Sequence, residues 1–145
     1  HRDLHSFPTR RSSDLLEEDL AALREDWQVR KSVAQNYAQL LDELAGITRL
    51  PAVVIVPGSW SFAEDGLNAT VTVALVLVDQ FRAAQPGRVA GVQQLLDSVI
   101  EHYHPVYDLA EHGYAKLGRG YATEVDDQYA SLVQELTIDV PFDTD

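Results

Sequence analysis

Two apolar segments between residues 50 and 81 dominate the hydrophobic pattern of this chain. The first, residues 51–57, is a run of β-branched residues closed by Pro51 and Pro57, which predicts a strand bounded by turns. In the second, residues 70–78, polar and apolar positions alternate at first, and the pattern then becomes apolar on both faces. A strand of this type is buried on both sides, so other parts of the chain must cover its second face.

The clearest helical pattern lies at Val89–Tyr103 and supplies the predicted cover. Its apolar positions follow alternating steps of three and four residues: Val89, Val92, Leu96, Val99 and Tyr103, with Leu95 and Ile100 widening the face. A second amphipathic helix is predicted from residue 16 to about residue 26, where Leu16, Leu20 and Leu23 share one side.

Residues 27–46 allow two interpretations. Trp27 and Val29 belong to an alternating, strand-like pattern, whereas the whole stretch to Leu44 also contains good helix formers. We favour a strand at about residues 27–34, followed by a short helix that ends at Gly46, because glycine is common just after a helix.

The central strands are joined by a polar segment, residues 58–69, which is too long for a tight hairpin turn. It carries Trp60 and Phe62 among serine, acidic residues and glycine. These aromatic side chains either pack back on the core or anchor a partner.

The chain closes with a predicted strand pair. The first strand covers roughly residues 114–125 and is interrupted by Gly118 and Gly120, which indicates a bulge. In the second, apolar residues share one face, broken by Gln134, against a mixed face that includes Glu135 and Asp139, so the strand is expected to be half buried.

These elements predict an α+β fold: a mixed, mainly antiparallel sheet of about four to five strands, covered by one long helix (Val89–Tyr103) plus an N-terminal helix. With 145 residues, the expectation is one domain with a sizeable core. That domain is assigned to residues 16–145.

Residues 1–15 are excluded from this domain. They resemble one reading frame of a widely used sequencing adapter, and they are expected to be a non-native, disordered segment. The alternative is a genuine basic disordered arm. The chain contains no methionine, so we expect that the native N-terminus is missing.

Charge and cysteine content narrow the function classes. The net charge is −12, and it becomes −13 when the three arginines and two aspartates of residues 1–15 are removed. A chain this acidic is expected to avoid nucleic acids and anionic membranes. It has no cysteine, which excludes disulfides, thiol catalysis and thiolate zinc sites, and no apolar run is long enough to span a bilayer.

The densest group of potential metal ligands is formed by His102, His104 and His112 together with Glu101, Asp108 and Glu111. A His-x-His step on a helix points its rings to different sides, and Pro105 breaks the helix there. We therefore expect a solvated helix end. No serine lies in a nucleophile elbow, and the Gly-x-Gly step at Gly118 lacks a strand-to-helix context, so no enzyme, cofactor or metal is expected.

The order of elements resembles a phage family. The similarity lies in Leu50-Pro51-Ala52-Val53 opening a strand, the polar segment to Leu67, the strand at 70–78, the helix Val89–Tyr103 and the closing strand at 132–140. Over about two thirds of its length, the chain resembles the tail-terminator and tail-completion proteins of long-tailed bacteriophages, the minor tail protein U type among them.

This resemblance implies a structural subunit of a phage or prophage that assembles into a ring, commonly a hexamer, which caps the tail tube and joins it to the head. The implied partners are further copies of the chain and the tail-tube and head-completion proteins, without specific nucleic-acid or membrane binding. The implied location is the host cytoplasm during assembly and then the virion tail.

The residues expected to contact a ring neighbour are Trp60, Phe62, Glu64, Asp65 and Phe81. Two other functions stay open. One is a small adaptor or regulatory domain that binds a protein through Trp60 and Phe62. The other is a metal-dependent enzyme that uses His102, His104 and His112.

Overall fold

A computed structural model describes residues 8–34, 36–47, 51–64, 66, 68–80, 89–109, 113–126 and 129–141. In chain order, the elements of this part are α1 (Pro8–Leu23), β1 (Gln28–Lys31), α2 (Tyr37–Ala45), β2 (Ala52–Phe62), β3 (Asn68–Gln80), α3 (Val89–Tyr103), β4 (Val106–Asp108), β5 (Tyr114–Asp126) and β6 (Tyr129–Pro141).

The strands form one curled, mixed sheet, a half-barrel, in the order β1-β2-β3-β6-β5-β4. Only β1 and β2 are parallel, because the chain crosses over between them through α2, and the other neighbours are antiparallel. The predicted sheet of four to five strands is therefore wrong. In the described part of the chain the sheet has six strands, since the three residues of β4, expected to be a loop, pair with β5.

One face of the sheet, called the helix-pair face here, carries α1 and α3. Leu16 and Leu20 of α1 and Val92, Leu95 and Val99 of α3 are buried against it. The strand residues in this core alternate along each strand: Val53, Ile55, Val71, Val73, Leu75, Leu77, Ala115, Leu136, Ile138 and Val140. This main core explains why the helical spacings at both helices could be recognised in the sequence.

The opposite face, called the α2 face here, is covered by α2. Leu44 packs there against Ala52, Val54, Val76 and Val133. The prediction that one long helix covers the two-faced central strand is therefore wrong. Three short helices share the task, because α3 lies on the same face as α1 and only α2 reaches the other face. Asn36 caps α2 by accepting a hydrogen bond from the Gln39 amide.

Strand β2 continues five residues past Pro57, where the sequence predicted its end. The Gln28 amide donates to Pro51 O and the Ser32 amide to Ile55 O, so every second residue of β2 points its backbone groups towards β1. Pro57 falls in that series but lies beyond the last β1 pair, Lys31 with Ile55. Its missing N–H therefore removes no hydrogen bond to β1, and proline is tolerated at such a position.

A bulge in β5 explains the polar residue on the apolar face of β6. The register between these strands shifts between Leu117 and Gly120, which confirms the bulge predicted at this glycine pair. The Gln134 side chain donates to Gly118 O at 3.0 Å and to Glu135 O at 2.9 Å. Gln134 is therefore buried because it satisfies a carbonyl that the bulge removes from the ladder.

The first two turns of α1 consist of residues that the sequence assigned to the adapter-like segment, since the helix begins at Pro8. Within the described side chains of that segment, Ser13 is buried and Asp14 forms an ion pair with Lys31 of β1. Residues 1–7 lie outside the described residues.

Candidate functional site

The part of the β2–β3 hairpin beyond β1 is called the arm here and is defined as residues 57–62 and 68–73; its β3 half stays paired with β6. A bulge between Pro57 and Trp60 lies at its base. A Cβ on Gly58 would lie 2.5 Å from Thr72 O, so the close approach of the two strands requires glycine there.

Trp60 and Phe62 lie on this arm, within β2 and not in a loop as predicted. Trp60 pairs with Val71 and Phe62 with Ala69, which places both rings on the helix-pair face. Their exposed fractions are 51% and 47%, so neither ring is absorbed into the core. The arm therefore presents two half-exposed aromatic side chains beside a strand edge that β1 does not reach.

Of the other three residues predicted to contact a ring neighbour, the structure describes one, Glu64. Glu64 follows the arm and is exposed. Asp65 and Phe81 lie outside the described residues. Trp60 and Phe62 thus lie on the arm, and Glu64 lies just past the end of β2.

A partly buried carboxylate, Asp19, forms the main polar network of the described residues. Its Oδ2 accepts hydrogen bonds from the Tyr103 hydroxyl at 2.6 Å and lies 2.9 Å from His102 Nε2, and its Oδ1 accepts from the Tyr107 hydroxyl at 3.0 Å. The three rings also contact one another, with centroid distances of 4.2–5.4 Å. One side chain of α1 is thereby tied to both α3 and β4.

The electrostatics of the network keep its tyrosines neutral. Burial, reinforced by the hydrogen bond to Asp19, raises the pKa of Tyr103 well above its ordinary value. The hydrogen bond to Asp19 is the main cause of the raised pKa of Tyr107. Because both hydroxyls stay protonated and donate to a single carboxylate, the arrangement is suited to fixing three elements in place.

The sequence did not predict this network, and it contains only one of the predicted metal ligands, His102. His104 is exposed in a shallow depression with Asp97, Ile100 and Glu101, and His112 lies outside the described residues. No group of three histidine or acidic side chains that could hold a metal ion occurs in the described part of the chain. Asp19 itself gave no signal, because Glu17 and Glu18 beside it have the same polar character.

An open groove of about 400 Å³ lies between α1 and β4. Its lining combines apolar and acidic side chains: Leu15, Glu18, Asp19, Ala22, Tyr107, Asp108 and Leu109. On the β4 side, the groove is bordered by Tyr107, Asp108 and Leu109.

No model of a known protein family matches the chain, and a search of curated proteins found no similar sequence. Within the described residues, no helix is both long enough and apolar enough to cross a membrane. The functional argument therefore rests on the surfaces described above.

Proposed function

We propose that the chain is a structural subunit of a long-tailed phage or prophage, a tail-terminator or tail-completion protein that assembles into a ring at the junction of head and tail. The arm is the observation that carries this proposal. It places Trp60 and Phe62, each about half exposed, on the part of β2 that extends beyond its last pair with β1, Lys31 with Ile55.

In most proteins, an open strand edge is covered by another segment or protected against pairing with a second chain. Proteins protect exposed strand edges with charged residues, proline or bulges, because an open edge can pair with another chain. In this arm, Pro57 and the bulge guard only the base, and residues 59–62 (Ser-Trp-Ser-Phe) carry no charge. Tryptophan and other aromatic residues are enriched in the centres of protein interfaces. We assign the arm to the contact with the next subunit of the ring.

The charge of the chain supports the same role. The net charge is −12, so the wall of a ring made from this subunit repels the phosphates of DNA that passes through it. The order of elements adds the resemblance to tail-terminator proteins described above. The tail-tube and head-completion proteins are the further partners of the proposal.

The proposal is tested by sedimentation velocity over a wide range of protein concentrations. We expect the wild-type chain to form one discrete assembly and the variant Trp60→Ser/Phe62→Ser to sediment mainly as a monomer with an unchanged melting temperature. The matched control replaces two other exposed aromatics, Tyr114 and Tyr121 of β5, by serine and should assemble as the wild type does. An arm variant that assembles fully would contradict the role of the arm.

The same exposed pair also favours a second candidate, an adaptor that binds one foreign protein through Trp60 and Phe62. The two functions differ in oligomeric state. An adaptor is expected to stay monomeric until its partner is added, whereas a ring subunit associates with copies of itself.

A further inference from the structure

The groove between α1 and β4 takes one of its walls from a single side of the helix. Glu18, Asp19 and Ala22 lie three, four and seven residues after Leu15, so these four residues form one stripe along two turns of α1. Seven residues of helix make this stripe about 10 Å long. The core takes other positions of α1, and the stripe therefore lies at the surface of the fold.

The opposite wall consists of Tyr107, Asp108 and Leu109. The Tyr107 hydroxyl donates to Asp19 Oδ1 at 3.0 Å, so this bond links the two walls. Leu109 on this wall and Leu15 on the other give the groove apolar lining. Its volume of about 400 Å³ lies in the range of ligand-binding clefts, which combine apolar lining with a few polar groups.

The charge of the groove is negative. Glu18 is exposed on the α1 wall. Beside it, Asp19 accepts hydrogen bonds from the hydroxyls of Tyr103 and Tyr107, which stay neutral and so do not cancel its charge. None of the described side chains that line the groove is basic. The groove is therefore complementary to a segment that carries both apolar and cationic side chains.

The geometry of the walls narrows this segment further. A guanidinium group can bind a carboxylate through two parallel hydrogen bonds and can also stack on an aromatic ring, here that of Tyr107, whereas an ammonium group cannot do both. Because the groove is open and about 10 Å long, it accommodates about three residues of extended chain.

We propose that the groove binds a short extended segment of another protein, with an arginine beside Glu18 and Asp19 and an apolar residue on each side of that arginine. This inference goes beyond the proposed ring function. The groove contains no residue of the arm, so the binding of such a segment does not depend on the contact between ring subunits.

Another copy of this chain does not meet the same requirements. The chain has a net charge of −12, and residues 59–62, the part of the arm that carries its exposed aromatics, have no charged side chain. A groove with acidic walls is not complementary to such a surface. The expected occupant is therefore a basic segment of a different protein.

A set of tripeptides with acetyl and amide caps tests the chemistry of the groove. Saturation-transfer NMR of the peptide measures binding to a monomer and to a ring alike. We expect Leu-Arg-Leu to bind, Ser-Arg-Ser to bind at least about tenfold more weakly because it buries less apolar surface, and Leu-Glu-Leu not to bind. Equal binding of Leu-Arg-Leu and Ser-Arg-Ser would show only a general attraction of the acidic chain for cations and would overturn the inference, as would the absence of Leu-Arg-Leu binding.

Charge reversal tests the location. Glu18→Lys should weaken Leu-Arg-Leu binding about fivefold, since it replaces an attractive exposed charge by a repulsive one. The matched control is Glu25→Lys, which makes the same change at an exposed acid just past α1 that does not line the groove. An equal loss in the two variants would overturn the assignment to the groove.

Sedimentation of the same variants separates this site from the ring. We expect Glu18→Lys to assemble as the wild type does. A loss of assembly in Glu18→Lys and not in Glu25→Lys would place a second copy in the groove and overturn the assignment to a different protein. A wild type that stays monomeric but binds Leu-Arg-Leu with the expected selectivity supports the groove site and contradicts only the ring.

Discussion

The Asp19 network gives the sharpest prediction about stability. Asp19 accepts hydrogen bonds from Tyr103 and Tyr107 and contacts His102, which joins α1 to α3 and β4. Replacing this residue by alanine removes the shared acceptor and leaves the donors in place. We expect Asp19→Ala to destabilise the fold strongly.

The magnitude follows from the burial of each donor. Tyr103 is fully buried, so its hydroxyl loses a hydrogen bond to a charged acceptor and finds no water in exchange, which is unfavourable by about 2–3 kcal/mol. His102 and Tyr107 are partly exposed and regain water, so their bonds add little. The free energy of unfolding should fall by about 2–4 kcal/mol, equivalent to a decrease in melting temperature of roughly 5–15 °C.

Urea denaturation followed by circular dichroism measures this change, with Glu18→Ala as the matched control. Glu18 is the neighbouring exposed acid on the same helix, and its replacement should change the unfolding free energy by no more than about 0.5 kcal/mol. A double-mutant cycle between Asp19→Ala and Tyr103→Phe should give a coupling of about 1–3 kcal/mol.

Two results would refute the reasoning. One is a loss for Asp19→Ala that equals the loss for the Glu18 control. The other is strict additivity of Asp19→Ala and Tyr103→Phe, because two residues that share a hydrogen bond should not act independently.

Two further predictions concern pH and backbone conformation. The folded state keeps Tyr103 protonated, whereas a tyrosine in the unfolded chain ionises near pH 10. The contribution of Tyr103 to the free energy of unfolding is therefore complete below about pH 10 and is lost above it by about 1.4 kcal/mol per pH unit. In alkaline denaturation, the stability of Tyr103→Phe should fall less steeply with pH than that of the wild type, and an identical slope would contradict the assignment. Gly113 has φ of 151°, and an added Cβ would lie 2.4 Å from Asp139 O, so Gly113→Ala should cost more than about 3 kcal/mol. Gly66→Ala, with φ of 70° and open space around it, should cost only about 1–2 kcal/mol in the same urea titration, and equal losses would contradict the steric argument.

Elements with a long, regular pattern could be predicted from the sequence. Helix α3 has the predicted bounds, Val89–Tyr103, because its apolar spacing runs through four turns. Strand β3 includes the predicted residues 70–78 and extends two residues further at each end. In both elements the local pattern and the tertiary packing agree.

Elements decided by distant pairing could not be predicted in this way. Pro57 indicates a strand end by its missing N–H, yet β2 continues because β1 stops at Lys31 and leaves that edge open. Strand β4 has only three residues, and its pairing with β5 is invisible in a local pattern. The predicted end of β2 was therefore wrong, and the predicted count of strands missed β4.

The two candidate sites show the same difference between a local sequence pattern and contacts between distant residues. Trp60 and Phe62 could be singled out because aromatic residues are conspicuous in a polar stretch, although their strand conformation was missed. Asp19 could not, because its role depends on Tyr103 and Tyr107, which are more than 80 residues away in the chain.

Negative-stain electron microscopy of the purified protein, combined with native mass spectrometry of the same sample, tests the ring most directly. The account predicts closed rings with a central opening and a single assembly whose mass is a whole multiple of the 16.1 kDa chain. A sample that stays at 16.1 kDa at every concentration and shows no rings would contradict it.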